Sequence, residues 1–183
     1  WLAGQGVREL TLIAQDLTAY GRDLEPGNSL PALLENLLAA TAIPWLRLLY
    51  LYPSGITPEL LALMAGEPRI VPYLDIPLQH ISDRILQRMN RPYGRKDVEK
   101  LLTLIRRSVP DCAVRTTMML GFPGEQEEDV LEMISFLRTW RLDHVGLFRY
   151  EDEQGSPASR LEDKVGQVEK QRRYERVMEV QAT

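Results

Sequence analysis

Short apolar runs alternating with segments of helical period constrain this 183-residue chain more than any other feature. "ELTLIAQ" (9–15), "LRLLYLY" (46–52), "VPYLDIPL" (71–78), "AVRTTMMLG" (113–121) and "HVGLFRY" (144–150) have the length and composition of buried strands. Helical patterns separate them at 29–41, 57–66, 82–89, 94–109 and 124–140, and a last helix covers 168–181 after a polar loop at 151–165. Ser29, Thr57 and Ser82 stand where helix caps belong, Pro58 follows its cap, and Leu30, Leu33, Leu34, Leu37 and Leu38 form one stripe. Such alternation predicts right-handed βαβ units and a parallel sheet. No GxGxxG follows the first strand, so a partial or open barrel is favoured over a doubly wound dinucleotide fold.

In either architecture the working groups gather at the C-terminal ends of strands. The first strand ends in Gln15 and Asp16, the third in Gln79 and His80, and the fifth in Phe148, Arg149 and Tyr150. The fourth carries Arg115, Thr116 and Thr117, then turns through "GFPGE" (121–125). Alternation puts Arg115 and Thr117 on one face and Tyr73 and Asp75 on one face. A buried arginine needs an anion, so either Asp75 neutralises Arg115 or Arg115 awaits a ligand carboxylate.

Each residue has a plainer reading: a structural ion pair for Asp75 and Arg115, a loop histidine for His80, and a tight turn for Gly121, Pro123 and Gly124. Arg84, Arg88, Arg91, Arg95 and Lys96 read as a solvated helix face, and Cys112 as a small packed hydrophobe. Their joint placement at one rim carries the functional reading. Net charge is −4, which offers nucleic acid no basic surface, and one cysteine leaves no internal disulfide, as suits a reducing cytoplasm. The opening "WLAGQG" reads as a helix tail ended by Gly4 and Gly6, from which we expect a fragment of a longer protein.

Four blocks, "LTLIAQDLTAYGRDL", "YLDIPLQHISDRILQRMNR", "VRTTMMLGFPGEQEED" and "VGLFRYEDEQGSPASRLEDKV", closely resemble the radical S-adenosylmethionine methylthiotransferases in order and spacing. "AQD", "PLQHIS" and "RTTMMLGFPGE" are nearer to the branch that modifies a small-subunit ribosomal protein. The branch that acts on transfer-RNA adenosine reads closer to "GQN", "PLQSGS" and "STDIIVGFPGE".

The resemblance implies an α/β, parallel-stranded partial (β/α)6 TIM-like barrel, here strands two to six as a single domain over 1–183 without the first strand and cluster loop. It further implies a [4Fe-4S] cluster held by a CxxxCxxC loop expected before Trp1, and a second cluster in an N-terminal methylthiotransferase domain. A C-terminal TRAM domain completes the family pattern, and neither extra domain is expected within these residues. The activity implied is radical methylthiolation of an aspartate β-carbon in a ribosomal protein, with a flavodoxin or ferredoxin as reductant. Transfer-RNA modification and a non-catalytic binding barrel are the alternatives. By itself the chain is expected to bind no cluster and turn nothing over. It is expected to be cytoplasmic, with neither membrane association nor direct nucleic-acid binding. For the cofactor, the resemblance implies Gln15 and Gln79 on the methionyl or ribose part, Arg115 on the carboxylate with Thr117 assisting, and Gly121, Phe122, Phe148 and Tyr150 around the adenine. Asp16 and His80 are expected nearer the substrate, with no metal ligand among these residues.

Overall fold

The computed structural model describes residues 1–181, which divide into two compact units. The first comprises Trp1–Pro77 with Glu99–Val114; the second comprises Leu78–Val98 and the chain from Arg115 onward.

In the first unit β1 (Glu9–Leu12), β2 (Trp45–Leu48) and β3 (Ile70–Asp75) pair in parallel, with Leu10 beside Leu46 and Leu48 beside Leu74. Leu46, Leu48, Ile70 and Leu74 are buried, as residues of a strand covered by helices must be. Helix α1 (Leu30–Ala40) begins at Ser29, whose hydroxyl accepts the Ala32 N–H at 3.3 Å. Helix α2 (Pro58–Gly66) begins at Thr57 in the same way, at 3.2 Å from the Leu60 nitrogen. Both caps and the proline at the first helical position are as the sequence predicts. Arg47 of β2 pairs with Glu9 of β1 at 2.5 Å and lies over the Tyr73 ring. The residues 3–5 form a short 3-10 turn closed by Gly6 at φ 79°, a left-handed position that suits glycine.

β1 is shorter than the apolar run. It stops at Leu12 because the Asp16 carboxylate captures the N–H and hydroxyl of Thr18, which folds the following residues into a 3-10 turn over Leu17–Ala19. β3 ends at Asp75, short of Pro77, which has no N–H for a ladder.

In the second unit β4 (Ala113–Leu120, its residues from Arg115 on) pairs in parallel with β5 (His144–Arg149), from Arg115 beside His144 to Leu120 beside Arg149. Thr116, Met118 and Leu120 are buried, while Arg115, Thr117 and Met119 are half-buried on the other face. Helix α3 (Asp83–Arg88) is brief. Ser82 occupies its N-cap position, but its hydroxyl donates to Asp129 instead of capping. Of α4 (Arg95–Ser108), the residues up to Val98 belong to this unit and those from Glu99 to the first. α5 (Glu127–Trp140) starts three residues later than the sequence pattern, because Gln126 and Asp129 form a reciprocal capping box behind the turn at Gly124. α6 (Gln167–Gln181) packs against α5 and β5 and buries Lys170, Arg173 and Val177. Among the described residues, no helix is long and apolar enough to cross a membrane.

Candidate functional site

Gln79 anchors the site to β4. Its N–H donates to the Thr117 carbonyl at 2.9 Å, and its own carbonyl accepts from the Met119 N–H at 2.7 Å. These two bonds hold it at φ 67°, which non-glycine residues rarely adopt. Next to it His80 is fully buried. Its Nδ1 accepts the Ser82 N–H at 3.0 Å, so its proton lies on Nε2, which faces Glu125 Oε2 at 3.3 Å.

Glu125 closes the "GFPGE" turn. Its Oε1 accepts from the Gly121 N–H at 2.9 Å and from Arg173 Nη1 at 2.8 Å. Arg173 also donates to the Glu125 carbonyl and, through Nε, to Glu169 at 2.7 Å. Burial pulls the Arg173 guanidinium down, yet Glu125 and Glu169 together raise it above its ordinary value. Gly121 sits at φ 75°, where a Cβ would come within 2.4 Å of Lys170 Cγ. Lys170 itself donates to the Tyr150 carbonyl at 2.6 Å and lies over the Tyr150 ring. Gly124, at φ 84°, makes room for Arg88 and Asp163, which are paired at 2.6 Å beside the turn. Asp129 receives the Ser82 hydroxyl at 2.6 Å, the Gln126 N–H and Arg84. Burial pushes its carboxyl up, but these donors outweigh it and hold it below the usual carboxylate range.

Above this buried network lies a cleft of about 500 Å³, lined by Gln79, Met119 and Phe122, by Arg88–Arg91 and by the Ser156–Ala158 segment with Leu161. Phe122 meets Tyr150 edge to face at 5.3 Å, and both pack on Ile85. Burial, then the Asp152 carboxylate beside its hydroxyl, raises the Tyr150 phenol. Along the half-buried face of β4, the guanidinium of Arg115 and the hydroxyl of Thr117 both lie within 4 Å of where a Cβ on Gly146 would stand. Parallel register puts Phe148, exposed, beside Met119.

Within the second unit the structure brings Gln79 and Phe122 to the cleft, packs Tyr150 against Phe122 after the Gly121 turn, and leaves Arg115, Thr117 and Phe148 along β4 and β5 outside the cleft's lining. His80 reaches the cleft only through its neighbour Gln79, because both ring nitrogens are occupied. Gln15, exposed, and Asp16, committed to Thr18, belong to the first unit. Asp75 there is buried.

The arginine segment is solvated but also paired: Arg84 and Arg88, both exposed, meet Asp129 and Asp163, Lys96 is exposed, Arg95 meets Glu132, and Arg91 turns into the cleft. Charge spacing along one helix could not reveal these partners, which lie 37 to 75 residues away. Glu125 closes a motif the sequence displays. Lys170 and Arg173 gave no signal, since a charged helix normally points such residues at water.

The sequence profile of the Radical SAM superfamily matches residues 2–137. The chain belongs to the radical SAM superfamily. Its fold agrees: coproporphyrinogen III oxidase (HemN) from Escherichia coli, a radical SAM enzyme, superposes with a TM-score of 0.74 at 15% identity, over 94% of this chain and 39% of that one. The radical S-adenosylmethionine methyltransferase TsrM from Kitasatospora setae superposes with 0.62 at 20% identity, over 81% and 28%. The partial parallel barrel expected from the sequence is thus the fold of this radical SAM chain. Among curated proteins, ribosomal protein uS12 methylthiotransferase RimO from Desulfotalea psychrophila is 53% identical over 98% of this chain and 41% of its own length. The protein of that name from Desulforudis audaxviator is 49% identical over 98% and 40%. The chain spans about two fifths of the length of these relatives.

The superfamily implies an iron–sulfur cluster and S-adenosylmethionine. The residues present do not fit a cluster: Cys112 is the one cysteine and is buried, and no group of three or more His, Cys, Asp or Glu that could hold a metal occurs among the described residues. Of what S-adenosylmethionine needs, the cleft supplies a hydrogen-bonding amide in Gln79 and an apolar and aromatic wall in Phe122 with Met119, whereas Arg115 and Thr117 lie along β4 outside its lining.

Proposed function

We propose that this radical SAM chain is the cofactor-binding core of a methylthiotransferase that acts on an aspartate β-carbon of ribosomal protein uS12. The observation that carries the reading is the 53% identity to a protein of that name, sustained over 98% of the chain. The cleft of the second unit supports it. In this reading the Arg115 guanidinium holds the carboxylate of S-adenosylmethionine, with Thr117 on the same face. The Gln79 amide takes the ribose or methionyl part, and Phe122 walls the adenine over Tyr150. Phe148 and the Gly121 turn complete that wall. Bound S-adenosylmethionine supplies the radical chemistry, and the residues here bind it, orient it and keep water from it. His80 and Glu125 act one step removed, by fixing Gln79 and the Gly121 turn. A low-potential reductant of the flavodoxin or ferredoxin class and a reducing, cytoplasmic setting belong to the same reading.

The test is incubation of the cluster-reconstituted full-length protein with a uS12 loop peptide and, separately, with transfer RNA. A mass gain of one methylthio group on the peptide is expected; a gain on transfer RNA alone refutes the assignment.

A further inference from the structure

β5 is the last strand in the order of the sheet, paired with β4 on one side and with no other strand among the described residues. The register shows which main-chain groups this leaves open. The Tyr150 N–H donates to the Leu120 carbonyl at 2.8 Å, and Arg149 stands beside Leu120, so the amides and carbonyls of His144, Gly146 and Phe148 face β4. Those of Val145, Leu147 and Arg149 face the other way, and among the described residues they bond to no other segment. The pairing runs without a bulge from Arg115 beside His144 to Leu120 beside Arg149, and the strand holds neither lysine nor proline. Natural edges are blunted by those residues, by bulges or by a cover, because an open row of donors and acceptors recruits another strand. Here the row stays open next to Phe148, which is 56% exposed.

We propose that the free edge of β5 is the docking site of the substrate polypeptide, which pairs with it as a further strand and brings its aspartate to the cleft of this unit. The inference rests on the reading given under the proposed function and deepens it. A strand added there extends the sheet, so its side chains alternate, and every second one shares the face of Met119 and Phe148. Met119 lines the cleft, so an aspartate on that face is directed toward it while the neighbouring side chains point away. Main-chain hydrogen bonds supply the grip in such pairing, and the alternate side chains supply the choice. Charge agrees: Glu151 and Glu153, both exposed, follow the strand, and a protein that sits on ribosomal RNA meets its phosphates with lysine and arginine. A polynucleotide has no peptide ladder to offer and would meet those carboxylates on a chain of net charge −4.

The experiment measures binding of a fluorescent uS12 loop peptide to the full-length cluster-reconstituted protein saturated with S-adenosylmethionine, and repeats it with peptides N-methylated at one backbone position at a time. Each methyl removes one donor, so alternate positions should lose roughly tenfold in affinity while those between them bind as the parent does. Val145→Pro removes one donor from the open row and none from the β4 ladder, an exchange that edge strands tolerate. It should weaken the peptide by roughly tenfold and leave S-adenosylmethionine bound as in wild type. The methylated peptides decide the matter where the proline variant does not fold. Losses without alternation overturn the inference, as does a folded Val145→Pro that keeps wild-type affinity for the peptide. If the peptide is bound and methylthiolated with neither pattern, this inference alone falls; if wild type binds transfer RNA and no peptide, the proposed substrate falls with it.

Discussion

Truncating Glu125 to alanine removes the acceptor that unites three segments of the second unit. The Gly121 N–H would lose its 2.9 Å partner, Arg173 Nη1 its 2.8 Å carboxylate and His80 Nε2 a longer contact at 3.3 Å. An orphaned buried N–H costs about 1–3 kcal/mol. Breaking a buried ion pair from one side costs about 3–5 kcal/mol, here less, because Arg173 keeps Glu169 and the Glu125 carbonyl. The combined expectation is a loss of about 4 kcal/mol for Glu125→Ala and about half that for Glu125→Gln, which keeps shape and one acceptor oxygen. At about 2–4 °C per kcal/mol for a chain of this size, Glu125→Ala should melt about 8–16 °C below wild type. Hydrogen exchange gives the local readout: the Gly121 amide should exchange faster in both variants. A melting temperature within a degree or two of wild type, with Gly121 still protected, would refute the claim that this carboxylate holds the turn.

Gly121→Ala should destabilise the protein and slow or abolish turnover of the full enzyme, because the residue is left-handed and the new methyl would press on Lys170; calorimetric melting checks it. Acid should weaken the second unit in a defined window. Bonds from Arg172 and then Arg173 lower Glu169 to about 2, and Asp129 is also held low, so the folded state binds fewer protons than the unfolded one. Their contribution is complete above about pH 4.5 and is lost as pH falls toward 2, and Asp129→Asn should flatten that part of the melting profile. An unaltered slope would remove Asp129 from the account. Arg115→Ala should weaken S-adenosylmethionine binding by roughly tenfold or more in the cluster-complete protein, read by calorimetry, and unchanged affinity would take Arg115 out of the site.

The fold was legible because strand alternation and helix capping are local. Ser29 and Thr57 cap where the pattern says, and Arg115 and Thr117 share a face because side chains alternate along any strand. What escaped was long-range pairing. Ser82 looks like a cap, but Asp129, 47 residues on, offers its hydroxyl a better acceptor. Arg91 looks like one more solvated cation until the left-handed Asn90 turns it inward. His80 signals chemistry by its rarity, yet the fold spends it on holding the Gly121 turn through Glu125.

The main-chain conformation of Gln79 sets stability and aim against each other. Glycine at that position would relax a backbone that costs about 1 kcal/mol or more to hold, so drift toward greater robustness pulls against the amide. The bonds with Thr117 and Met119 fix the main chain and so the direction in which the Gln79 side chain leaves it for the cleft it lines.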